Sequence, residues 1–134
     1  NDEIRTACQT HHALVYPAVY VETSCLTLIE ALSAGCLAII TNLGALPETG
    51  GEWPWYLPSV GRNTSQEYRE WLAMLTAGAM SQAIDDYWHP SLQTQLHAAS
   101  RYYHQFYNWS SRLPQWDAAL GVAKEDYDRR NPRV

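Results

Sequence analysis

The chain has 134 residues, with nine Lys and Arg against fourteen Asp and Glu and a formal net charge of −5. That length suits one domain around a single hydrophobic core. Apart from Arg129, Arg130 and Arg133 the basic residues are scattered, which argues against a nucleic-acid groove as the main function, because phosphate backbones are held by clustered cations.

In chain order, 2–10 reads as the end of a helix, and Ala13 to Tyr16 (ALVY) as a short buried parallel strand stopped by Pro17. Ser24 to Ala34 reads as a helix with Thr23 or Ser24 as N-cap and Gly35 as its stop. Cys36 to Ile40 is a second apolar strand, so strand, helix and strand form a right-handed βαβ unit of a parallel sheet. The Gly- and Pro-rich run 42–61 reads as a loop region with one short strand at Trp55 to Leu57. Within it, Trp53, Trp55 and Tyr56 read as plugs onto the core. The remainder is helical, with three apolar stripes: Tyr68, Leu72, Leu75, Ala79 and Ala83; then Leu92, Leu96, Ala99, Tyr103 and Phe106; then Trp109, Leu113, Trp116 and Leu120. All three are expected to pack as core. The fold class is therefore α/β, a partial Rossmann-like domain with a short parallel sheet and several carboxyl-terminal helices.

Cys8, Cys25 and Cys36 are odd in number and show no C-x-x-C spacing, which reads as reduced thiols in a cytoplasmic protein rather than disulfides or zinc. His11 and His12 have no carboxylate or Cys at ligand spacing, so no metal is expected, and His89, His97 and His104 read as solvated. The sequons at Asn63 and Asn108 read as chance matches. No run of about 18 apolar residues occurs, so no membrane-spanning helix is expected. The basic residues at the carboxyl end read as a frayed tail. The first residue is not Met and the chain opens in what reads as mid-helix, so it is taken as a piece of a larger protein.

Glu30 is the one charged residue between Glu22 and Glu48, inside an otherwise apolar helix and strand. A buried carboxylate without a partner is costly, so it must be paired, protonated or reserved for a ligand. Glu22 falls just before the helix, at the carboxyl-end side of the first strand, the edge where open parallel sheets bind ligands. Between the two lie the free N–H groups and positive dipole end of the helix, a seat for phosphate. Ionised carboxylates only accept hydrogen bonds and so suit sugar hydroxyls. The competing assignment makes Glu22 an exposed loop acid and Glu30 a carboxylate bonded to neighbouring amides.

The segment ALVYPAVYVETSCLTLIEALSAGCLAIITNLGALPET resembles the donor-binding signature of the family 4 ("group 1") retaining glycosyltransferases of GT-B fold. The similarity lies in Pro17, the E-x7-E pair Glu22 and Glu30, the turn Ala34-Gly35, the strand Leu37 to Ile40, and the loop Gly44 to Glu48. Tyr107 to Ser110 followed by a helix is similar to the family's closing Trp helix. The resemblance implies that Glu30 accepts from the donor's ribose hydroxyls and Glu22, the catalytic-site carboxylate, from hydroxyls of the transferred sugar. It implies that the amides of Ser24, Cys25 and Leu26 hold the diphosphate or a neighbouring sugar oxygen, with the Gly44 to Glu48 loop as structural support. The family has an aromatic-Gly pair where this chain has Ser24-Cys25.

The family's opening strand, Gly-rich loop and pyrophosphate-neutralising Arg and Lys do not precede Asn1, and its acceptor domain is likewise missing. The expectation is a carboxyl-terminal piece of a donor domain, inactive alone, using a nucleotide-diphosphate sugar without cofactor or metal. It would serve a carbohydrate or lipid-linked acceptor, in the cytoplasm or against the inner membrane face. The alternatives are a non-catalytic nucleotide-sugar-binding module and a structural α/β module.

Overall fold

The computed structural model describes residues 2–61 and 63–131. Helix α1 (Asp2–Thr10) leads into strand β1 (Ala13–Tyr16), helix α2 (Leu26–Ser33) and strand β2 (Leu37–Thr41). A short helix α3 (Leu46–Gly50), strand β3 (Trp55–Leu57) and helices α4 (Gln66–Asp86), α5 (Pro90–Phe106) and α6 (Trp109–Arg130) complete the chain. The sheet has order β1-β2-β3 with both pairings parallel, Ala13 opposite Leu37 and Ile39 opposite Trp55. This is an α/β architecture, a partial Rossmann-like domain.

Every residue of β2 is buried, as a central parallel strand covered on both faces requires. Its side chains alternate between two cores. Ala38 and Ile40 join Leu28, Leu32 and Tyr103 on the α2 and α5 side. Leu37 and Ile39 join Tyr68, Leu72, Leu92 and Leu96 on the α4 side. Trp53 and Tyr56 pack onto the first core and Trp55 onto the second, the plugging role read from the sequence.

Several boundaries differ from expectation. Helix α2 starts two residues late, with Cys25 rather than Thr23 or Ser24 as N-cap and no side-chain cap hydrogen bond. The Cys25 side chain is buried in the first core, so apolar packing there outweighs capping. Helix α3 forms inside the Pro-rich loop, with Pro47 in its first turn, where the missing N–H costs nothing. The β2 strand extends one residue to Thr41, whose hydroxyl donates to the Ala18 carbonyl at 2.8 Å.

The largest correction concerns the third stripe. Trp109, Leu113, Trp116 and Leu120 are all more than half exposed, because α6 touches the body chiefly through α5 and leaves this face uncovered. The second stripe also ends early, with Phe106 exposed. Arg129 and Arg130 lie in the last turn of α6 and pair with Asp126 rather than fraying, while Arg133 falls outside the described residues. Asn108 serves as the N-cap of α6, and His89 as that of α5. Among the described residues no helix is long and apolar enough to cross a membrane.

Cys36 is buried and its thiol donates to the carbonyls of Cys8 and His11 at 3.1 and 3.3 Å. Burial, then the neighbouring Cys8, pushes its pKa from 9.0 up to about 11. The folded chain thus retains a proton that the unfolded chain gives up first. Its stabilising contribution is complete below pH 9.0 and disappears as the pH rises through about 11. Accordingly, Cys36 in the folded chain alkylates far more slowly at pH 8.5 than in urea. The urea midpoint also falls between pH 9.0 and about 11 more steeply than in Cys36→Ala. Equal alkylation rates with and without urea refute this.

Candidate functional site

Parallel pairing sends the loops after β1 and β2 out at the same sheet edge, and the two loops clasp there. Ala45 N–H donates to the Glu22 carbonyl at 3.0 Å. Gly44, at φ +59, lies so close that a Cβ would stand 2.8 Å from the Glu22 carbonyl oxygen and 2.9 Å from its nitrogen. The GALPE loop is therefore the backing against which Glu22 is set.

The Glu22 carboxylate is held as well. Tyr16, the last residue of β1, donates its hydroxyl to Glu22 Oε1, and the Tyr16 and Tyr20 hydroxyls are hydrogen-bonded to each other. Burial, followed by these two hydrogen bonds, raises the Tyr16 pKa, so its proton stays on the phenol where Glu22 can accept it.

Immediately after this clasp, α2 begins. Its first helical bond runs from Ile29 N–H to the Cys25 carbonyl at 3.3 Å. Among the described residues the amides of Ser24, Cys25 and Leu26 find no acceptor in the protein. The Cys25 thiol points inward, where burial raises its pKa against the opposing pull of the Leu28 and Thr27 amides. Its side chain therefore does not block approach to the main chain.

A groove of two lobes runs along the exposed side of α2. One lobe, about 520 Å³, is lined by Glu30 and Ser33 of α2, Arg5 and Gln9 of α1, and His104 of α5. The other, about 630 Å³, is lined by Ser24 at the head of α2 and by Arg112, Gln115 and Trp116 of α6. Leu26, Ile29, Tyr107 and Trp109 belong to both lobes and make them continuous.

Glu30 is half-buried, and among the described residues no hydrogen bond or ion pair holds its carboxylate. Its charge is felt by Cys8, whose thiol pKa is raised first by burial and then by Glu30. The lone carboxylate is thus neither sealed under the core nor satisfied by a neighbouring loop.

Of the residues singled out from the sequence, Ser24, Leu26 and Glu30 line one groove, while Cys25 lies beneath it. Glu22 lines neither lobe, because Tyr16 and Gly44 draw it to the strand edge. The aromatic and cationic wall from Tyr107, Trp109 and Arg112 escaped the sequence reading. Those residues are more than 70 positions from α2, and Trp109 carried a helical core-type spacing that masked a cavity role.

His12, by contrast, sits edge-on against Tyr87 and Trp88, ring centroids 4.7 and 5.6 Å away. No family model, curated protein or solved structure matches the chain.

Replacing Gly44 with Ala forces a side chain into Glu22's backbone at a left-handed φ, a strain of about 1–3 kcal/mol. The thermal midpoint falls by several degrees, and NMR shows the Glu22 amide displaced with it. An unshifted Glu22 amide with unchanged melting removes Gly44 from its supporting role.

Proposed function

We propose that this chain is the carboxyl-terminal part of the donor-binding domain of a retaining glycosyltransferase. The enzyme moves a sugar from a nucleotide-diphosphate donor to a carbohydrate or lipid-linked acceptor. The observation that carries the reading is Glu30, a carboxylate unpaired among the described residues, in an open groove that leads back along α2 to three amides likewise without a partner there.

The chemistry follows from what these groups can do. A carboxylate accepts from the two vicinal hydroxyls of a ribose. Free N–H groups at a helix start suit phosphate oxygens. The E-x7-E spacing keeps the second carboxylate near the helix head, where Tyr16 leaves one Glu22 oxygen available to a sugar hydroxyl. Departure of the diphosphate from the anomeric carbon is eased by donors and cations set to meet its growing charge. As the resemblance implies, no cofactor or metal enters the reading. The rest of the donor domain and the acceptor domain belong to the same enzyme, which acts in the cytoplasm, at the inner membrane face when the acceptor is lipid-linked.

A second reading, a non-catalytic nucleotide-sugar-binding module, is favoured by Glu22 standing outside both lobes. The two readings part at the sugar end of the donor.

Titration of the chain with uridine, guanosine and adenosine diphosphates, followed by NMR, tests the reading. Glu30→Gln weakens whichever diphosphate binds best by about tenfold or more, since charge-assisted bonds contribute about 1.5–3 kcal/mol each. Glu22→Gln leaves that affinity unchanged and removes the added affinity of the corresponding nucleotide sugar. Undiminished nucleotide binding by Glu30→Gln defeats the proposal. Undiminished preference for the nucleotide sugar in Glu22→Gln shifts the choice to the binding module.

A further inference from the structure

The groove's second wall carries a cation that no part of the sequence pattern announces. Arg112 lies on α6, one turn beyond Trp109, and lines the lobe that Ser24 and Leu26 close from the opposite side. Among the described residues it has no carboxylate partner, although the chain is acidic overall. The described ion pairs use Arg5, Lys124, Arg129 and Arg130 instead.

Arg112 is also held in place. Its guanidinium carbon lies 5.2 Å from the Tyr107 ring centroid and 5.5 Å from that of Phe106. Its Nη1 donates to Gln115 Oε1 at 2.9 Å. Tyr107 in turn stacks on Tyr103, centroids 5.2 Å apart and planes within 11°. Tyr103 is buried, and its hydroxyl donates to the Thr49 carbonyl. Arg112 is thus the outer end of a stack that runs to the core. The bond to Gln115 uses one N–H, which leaves further N–H donors of the fork for an anion.

We infer that Arg112 is a binding residue for the diphosphate of the donor, facing α2 across the groove. The identity of the anion rests on the donor reading above; the presence of an anion site does not. A planar guanidinium suits the bidentate geometry of phosphate oxygens. Glu30, in the adjoining lobe, would repel the same group, which sets the polarity of the ligand: hydroxyls toward Glu30, negative charge toward Arg112. Trp109 lines both lobes and lies between the two.

The test compares wild type, Arg112→Gln and Glu30→Gln, each as the full 134-residue chain. The probes are uridine, guanosine and adenosine, their diphosphates, and inorganic pyrophosphate, with binding read from the Trp109 indole N–H resonance. In wild type the diphosphate binds more tightly than its nucleoside. Arg112→Gln loses about tenfold or more in affinity for the diphosphate and for pyrophosphate while leaving the nucleoside unchanged. Glu30→Gln does the reverse, weakening the nucleoside and keeping the gain that the phosphates provide.

If no nucleotide binds wild type but pyrophosphate binds and Arg112→Gln removes it, the anion site stands and the donor reading falls. If nucleotide binding depends on Glu30 but not on Arg112, the donor reading stands and this inference is overturned. Equal weakening of nucleoside and diphosphate by Arg112→Gln marks a merely structural arginine and overturns it too. So does wild type that binds neither diphosphate nor pyrophosphate.

Discussion

Burial of β2 on both faces, with parallel partners on either side, is the constraint from which the rest of the structure follows. A parallel strand cannot return by a tight turn, so each connection must cross over the sheet and begin again at the opposite edge. The loops after β1 and β2 therefore emerge side by side, and α2 starts beside them. Gly44 can then press against the Glu22 backbone, and Ala45 can donate to its carbonyl. Ala38 and Ile40 tie α2 to the sheet, so the head of α2 cannot drift from that edge without opening the first core.

The site combines two kinds of polar group that differ in how they are satisfied. Glu22 is fixed by Tyr16, which surrenders hydrogen-bonding capacity to orient a carboxylate at the strand edge. Glu30 has no partner among the described residues and lines a groove with cationic and aromatic walls. Preorganisation of one group and availability of the other are what a ligand with several hydroxyls and a charge would require. The amides of Ser24, Cys25 and Leu26 supply donors between them without adding any flexible side chain. Because Cys25 turns into the core, its side chain does not close the approach to these amides.

The far wall depends on a different part of the chain. Tyr103 is anchored to the α3 carbonyl of Thr49, Tyr107 stacks on it, and Arg112 lies over Tyr107. This succession carries rigidity from the core out to the one region where α6 meets α5. Beyond it α6 leaves its apolar stripe uncovered, so what α6 contributes to the groove comes from its first three turns.

The sequence by itself determined the α/β class, the βαβ unit, the short strand from Trp55 to Leu57 and the isolation of Glu30. These rest on local signals: alternation, branched residues, glycine stops and one charge in an apolar run. The loop from Gly44 to Glu48 was legible as support only through the resemblance to a family signature, since nothing local in the sequence shows which backbone it presses against. Only the tertiary structure decided that Glu22 leaves the groove for Tyr16 and that α2 is capped by a buried cysteine. It also decided that Trp109, Leu113, Trp116 and Leu120 stay exposed, and that Arg112 faces α2. Periodicity states which residues share a helix face, but whether anything covers that face depends on how distant elements pack. In this chain that packing fills the stripe of α4 and leaves the stripe of α6 open.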